Sequence, residues 1–317
     1  MTKTAILYSI ILAVAFSFTG PASAQQLDHR EDYRMNSVSG GNFRDYVTEN
    51  IDEGDLWARS MRKLGTFHNL MHEMMSDLAR YGEINEKGNL VPDFGVRISG
   101  GDWGQYRKNK EEAGIESEWH DFVRITEIMH DRVHHAMYNT LVYDNENRGR
   151  GLDMDDYTGG RPVYPAEQVF PEPCEVNITK ISPDDFREFV WYTDFEDRHL
   201  HAAVQKMQVF SEMMYDLMDL WARYASHMQE GACSPSEYNG QISGGDWEDF
   251  SKQVMMCKDD NWRDLVRSVN LMHDRISHMN YMIVRYFNNQ NLTRDEIIQV
   301  GGPLYLLHAP PFTFLNM

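Results

Sequence analysis

Five side chains able to hold a metal ion lie in two segments of helical spacing. His68 and His72 are four apart, and Glu127, His130 and His134 form an E-x-x-H-x-x-x-H run. Spacings of three and four stack side chains along one strip of a helix. Imidazole and carboxylate in such strips suit zinc, iron or copper, and helical E-x-x-H is a ligand pair in di-iron bundles. On a wheel of about 100° per residue centred on Met71, His68 and His72 lie about 60° and 100° to one side. On a wheel centred on Met129, His130, His134 and Glu127 lie about 100°, 140° and 160° to the same side. Two such helices packed antiparallel would bring both strips into one groove. A di-iron assignment stops there: Glu73 lies about 200° from Met71 and points away, and Asn270 stands where a second E-x-x-H would need its glutamate. The competing expectation is a set of semi-exposed histidines on the flank of a bundle.

Other chemistries have less to stand on. The chain has no G-x-S-x-G and no C-x-x-C-H, and His72-Glu73-Met74-Met75-Ser76 fails the H-E-x-x-H zinc motif at its last ligand. Twenty methionines invite a copper(I) reading. Most of them fall on apolar stripes, where flexible core filling accounts for them.

The elements that must position the histidines recur along the chain. Ile98-Ser99-Gly100-Gly101-Asp102-Trp103 returns as Ile242-Ser243-Gly244-Gly245-Asp246-Trp247, and Met129-His130-Asp131-Arg132 as Met272-His273-Asp274-Arg275. Residues 119–145 and 262–288 share twelve identities in 27 positions. Upstream, Phe67, Met71, Met75, Arg80 and Tyr81 match Phe210, Met214, Met218, Arg223 and Tyr224 at the same offset. The pattern predicts two diverged tandem copies, each reading long helix, short helix, long helix. The stripes Phe67, Leu70, Met71, Met74, Met75, Leu78 and Phe122, Ile125, Met129, Val133, Ala136 carry the 3,4 spacing of amphipathic helices. Asp102 and Asp246 are expected as N-caps after a glycine turn.

His130, Asp131, Arg132 and His135 recur as His273, Asp274, Arg275 and His278, on the apolar flank and on the back of the helix alike. That retention predicts a central helix contacted all round. Its charged groups are expected to pair in a network locking the two copies, since an unpaired buried charge is costly. The other four metal-ligand positions do not recur. His68, His72, Glu127 and His134 correspond to Ser211, Tyr215, Asn270 and Ser277. A metal site is therefore expected in the first copy only.

Composition sets the outer bounds. Lys3, the apolar run over residues 5–18 and Ala22-Ser23-Ala24 read as a signal peptide cleaved before Gln25, so the chain is expected to be exported, periplasmic or secreted. No stretch is long enough to anchor it across a bilayer. Thirty basic against 49 acidic residues give a net charge of −19, which disfavours nucleic acid and anionic membrane surfaces as partners. Of Cys174, Cys233 and Cys257, the last two would close a loop around the second Ser-Gly-Gly-Asp-Trp turn and are the expected disulfide. The expected organisation is all-α: signal peptide 1–24, N-terminal extension 25–54, helical repeat 55–145, a Pro/Gly-rich linker 146–193 with little room for helix, helical repeat 194–290 and an irregular tail 291–317. No motif fixes an enzymatic activity. The specific expectation is transition-metal binding (zinc, iron or copper). The alternative is a structural or partner-binding helical protein with no metal, taking a protein or small molecule not identifiable from the sequence.

Overall fold

Long apolar stripes at helical spacing dominate this chain, and the computed structural model answers them with helices alone. It describes residues 35–51, 54–85, 98–112, 118–170, 180–235, 240 and 242–291. Among these residues there are ten α-helices, one 3-10 turn and no strand. They are α1 (Gly40–Asn50), α2 (Leu56–Asn85), α3 (Gly100–Glu112), α4 (Glu118–Asn147), α5 (Met154–Thr158), α6 (Ala166–Val169), α7 (Pro183–Tyr192), α8 (Arg198–Met228), α9 (Gly244–Val254) and α10 (Asp260–Asn291). No helix among the described residues is long and apolar enough to cross a membrane. The expected signal peptide, Cys174 and the tail beyond Asn291 lie outside the described residues.

Four long helices form the body in two antiparallel pairs. In the α2–α8 pair, Trp57 meets Tyr224, Phe67 meets Phe210 edge-on at 4.5 Å, and Asn85 reaches Asp197, so one helix ascends as the other descends. The α4–α10 pair runs likewise, from Glu118 beside Arg285 to Asn147 beside Asp259. The stripe residues Phe67, Met71, Met74, Met75 and Leu78 of α2 and Phe122, Ile125, Met129, Val133 and Ala136 of α4 are fully buried. An aromatic cluster closes each end of the body. Tyr81, Trp119 and Tyr286 pack at one end, with the two tyrosine hydroxyls 2.9 Å apart. Tyr224, Trp262 and Tyr143 pack at the other, with hydroxyls 3.3 Å apart. Such aromatic pairs contribute about 0.5–1.5 kcal/mol each beyond their burial.

Three expectations change. The helices after the Ser-Gly-Gly-Asp-Trp motifs begin at the glycines, three residues before their expected start. Ser99 and Ser243 are therefore the caps, and Asp102 and Asp246 sit at the third helical position. Each serine hydroxyl accepts the aspartate's backbone N–H at 3.1 Å, and each carboxylate accepts the serine's N–H in return at 2.9 or 3.0 Å. This is a capping box, which the shorter serine side chain satisfies better from the flanking position.

The segment read as linker holds helices. α4 runs into it, α5 and α6 lie within it, and α7 begins at Pro183. Proline at the first helical position starts a helix because its missing N–H would have no intrahelical partner there. Ser182 caps α7 through the N–H of Asp185 at 3.1 Å. The N-terminal extension likewise contains α1, capped by Ser39 through Asn42 at 3.1 Å.

The charged face that recurs in both copies is not buried all round. Asp131 keeps 53% of its side chain exposed. Arg132, His135, His273, Asp274, Arg275 and His278 are buried. His135 Nδ1 donates to the carbonyl of Asn36 at 2.8 Å, and Asp274 accepts from Lys180 at 2.5 Å. Those two bonds tie α4 and α10 to the segments ahead of α1 and α7, while His135 Nε2 accepts from the amide of Asn139, which also donates to the Asp264 carbonyl on α10 at 3.3 Å. Burial, with Arg132 adding to it, pushes the His135 imidazole down to about 3, so it is neutral. Cys233 and Cys257 are joined in a disulfide, with Cα atoms 5.3 Å apart, across the base of α9.

Candidate metal centre

Two long helices and two capped helix starts meet at the histidines. α2 presents His68 and His72, and α4 presents His130 and His134. The His68 ring lies 5.0 Å from that of His134, and the His72 ring 5.3 Å from that of His130. Rising numbers on α2 thus face falling numbers on α4, so the helices are antiparallel and the two strips share one groove. Rings also approach within each helix, at 4.5 Å for His68–His72 and 4.3 Å for His130–His134. His68, His72 and His134 could hold a metal ion: one ring nitrogen from each lies within 4.8 Å of the others. His130 stands beside this group. Glu127 turns instead to Arg107 on α3, whose Nε donates to its carboxylate.

The tautomers are set by backbone. His72 Nδ1 donates to the carbonyl of Ile98 at 3.0 Å, and His134 Nδ1 donates to the carbonyl of Val38 at 2.6 Å. His130 Nδ1 faces the carboxylate of Asp131 at 3.1 Å. A proton on Nδ1 leaves the lone pair on Nε2, and this outer hydrogen bond is what orients most metal-binding histidines. His134 Nε2 is buried and has no hydrogen-bond partner among the described residues. Burial holds the His134 imidazole well below its ordinary value, and His130 beside it adds to the effect against the pull of the Val38 carbonyl. The neutral ring is the form that binds metal.

Glycines let the helix starts come this close. A Cβ on Gly40 would lie 1.9 Å from His68 Cε1, and one on Gly100 2.5 Å from His130 Cε1. Val38-Ser39-Gly40-Gly41-Asn42-Phe43 is a third occurrence of the motif found at 98–103 and 242–247. Its asparagine and phenylalanine replace the Asp-Trp of the other two and conceal the likeness. Recognising Ser-Gly-Gly alone would have placed α1 at the site. Arg107 had no such signal, because its pairing with Glu127 depends on how α3 lies on α4.

An open cleft of about 720 Å³ adjoins the histidines. His68, His72, Gly40 and Ser99 stand in its wall, with Phe43, Val47, Ile51 and Met61 as apolar lining and Arg44 and Arg62 also bordering it.

The positions that correspond in the other half are differently furnished. Tyr215 Oη lies 3.3 Å from His273 Nε2, and Ser211 donates to Asn280 at 3.0 Å. A Cβ on Gly244 would meet His273 Nε2 at 2.8 Å and Tyr215 Oη at 2.9 Å. Ser277 is buried, and its carbonyl accepts the backbone N–H of Ile181 at 3.1 Å.

No protein-family model, curated protein or solved structure matches this chain.

Proposed function

We propose that this is an exported protein that binds a transition-metal ion through His68, His72 and His134, with His130 as the adjoining imidazole. One observation carries the reading: three imidazoles from two helices converge, and two of them are held by backbone carbonyls in the tautomer that leaves Nε2 as ligand. Neutral nitrogen donors suit zinc or copper better than iron, which favours a carboxylate in its set. Glu127 is engaged by Arg107, which supports the choice of zinc or copper. A three-imidazole set leaves a coordination position open for water or a ligand, the arrangement of catalytic zinc sites. The Cys233–Cys257 bridge supports export, since disulfides persist in oxidising compartments.

The two halves are, in this reading, diverged copies of one unit of four helices. The offset of 143 that relates the long helices also relates Val38-Ser39 and Phe43-Arg44 to Ile181-Ser182 and Phe186-Arg187, at the starts of α1 and α7. Phe67 meets Phe210, its own counterpart, edge-on, as residues near a two-fold axis do. The two end clusters consist of counterparts: Tyr81, Trp119 and Tyr286 against Tyr224, Trp262 and Tyr143. Only the first copy kept, or gained, the four histidines.

Metal analysis of protein purified without a histidine tag tests the assignment. One equivalent of zinc or copper is expected, removed by chelator and restored on titration. Replacing His130 and His134 together by alanine should abolish it. Tag-free protein that takes up no zinc, copper or iron would leave the helical-scaffold alternative in its place.

A further inference from the structure

We infer that the cleft beside His68 and His72 binds a small organic anion, an apolar body carrying a carboxylate that completes the metal's coordination. This rests on the metal assignment above. The inference starts from charge. A divalent ion among neutral imidazoles keeps its full charge in a partly buried site, and such a charge needs a counter-ion. Asp131 reaches only His130, from an exposed position. Glu127 is neutralised by Arg107. No carboxylate occurs among the described lining residues of the cleft, in a chain with 49 acidic residues.

What borders the cleft is positive instead. Arg62 stands there, as does Arg44, which also pairs with Asp45 at 2.9 Å, and the starts of α1 and α3 contribute Gly40, Gly41 and Ser99 to the wall. The start of α1, which has no acid in its first turn, favours an anion through its aligned peptide dipoles, whereas α3 already carries Asp102 there. The apolar lining of Phe43, Val47, Ile51 and Met61 fits a hydrocarbon body, and the volume is that of a small-molecule site.

The other half shows the same frame with the anion site filled in. Arg187 corresponds to Arg44, and it is paired there with Glu212 at 2.9 Å and Asp184 at 3.1 Å. Asn69 and Gly41 stand at the positions of those two acids. Gly65 and Gly40 stand at the positions of Gln208 and Pro183. The half that carries four histidines is therefore also the half with smaller residues around its arginine, whose carboxylate partner, Asp45, is its exposed chain neighbour. These differences join the cleft and the histidines into one site.

The test uses tag-free protein loaded with cobalt(II), whose visible spectrum reports ligand exchange at the metal. Octanoate, acetate and octanol serve as the ligands. Octanoate should shift the cobalt spectrum at least about tenfold more tightly than acetate, because its chain buries methylenes that acetate lacks. Octanol should leave the spectrum unchanged. Arg62→Gln should weaken octanoate by roughly three- to tenfold, as an exposed charge contributes modestly. Gly65→Leu projects into the cleft, where a Cβ meets nothing nearer than Phe43 at 3.9 Å, and should remove the preference for octanoate over acetate. A cobalt spectrum that octanoate does not move, or that acetate and octanoate move alike in the unaltered protein, overturns the inference and leaves the metal assignment standing. Failure to bind cobalt, zinc or copper at all overturns both.

Discussion

The carbonyl oxygen of Val38 accepts a 2.6 Å hydrogen bond from Nδ1 of His134, across 96 residues of sequence. Ile98 does the same for His72 at 3.0 Å. Both carbonyls immediately precede a Ser-Gly-Gly helix start. The capped helix starts therefore serve the histidines twice, through a carbonyl that fixes the ring and a glycine that leaves room for it.

Gly40→Ala tests this arrangement directly. The new methyl would overlap the His68 ring, and a side chain turns aside at less cost than backbone, so the ring is expected to shift. Melting temperature should hold or rise slightly, since alanine favours helix over glycine. Metal affinity should fall about 10- to 100-fold, as it does when outer support of a ligand is lost. Gly41→Ala, whose Cβ would meet only Ser39 Oγ at 3.9 Å, should bind metal normally. Equal affinity for the two variants would argue against His68 as a ligand.

The second half should accept a metal site by design. Ser211→His, Tyr215→His and Ser277→His restore the missing imidazoles beside His273. Pro183→Gly supplies the clearance that Gly40 gives His68. Metal content of the fourfold variant should rise from one equivalent to two. His273→Ala in the natural sequence should leave one equivalent in place. A stoichiometry that stays at one in a folded variant would count against equivalence of the halves.

Acid should weaken the helix starts in a defined window. Hydrogen bonds from the hydroxyl and backbone N–H of Ser99 hold Asp102 below the usual carboxylate range, and Ser243 does the same for Asp246. A carboxyl with a depressed folded pKa stabilises above its unfolded value of about 3.9, and that stability is lost as pH falls through the folded value. The melting temperature should therefore drop below about pH 4. A D102N/D246N double variant should be less stable at pH 7 by roughly 0.3–1 kcal/mol per site and should lose less on acidification. Parallel acid curves for the two proteins would refute this.

Reduction should destabilise the second half selectively. The bridge closes 24 residues of chain around α9. A loop of that size contributes about 3 kcal/mol on the chain-entropy model. Cys233→Ser with Cys257→Ser should lower the unfolding free energy by about that amount while metal content stays at one equivalent. Loss of metal on reduction would show that the halves are more tightly coupled than this.

The sequence by itself determined the helices and the strips they carry. Apolar residues at 3,4 spacing can be buried together only on a helix, so Phe67 to Leu78 and Phe122 to Ala136 specified α2 and α4 without further information. The same spacing put His68 with His72 and His130 with His134. Helix starts were less legible, because a serine or an aspartate can cap and only the backbone geometry chooses between Ser99 and Asp102. The Pro/Gly-rich linker hid α7 for a similar reason: the effect of Pro183 depends on whether it stands at the first turn of a helix or inside it. The meeting of the two strips was left to tertiary structure. An antiparallel pair brings His68 to His134, whereas a parallel pair would have separated them, and a helical pattern carries no direction for its partner. Structure alone also sent Glu127 to Arg107 and brought Val38 and Gly40 onto the histidines, since contacts across 20 and 96 residues depend on packing that no local spacing encodes.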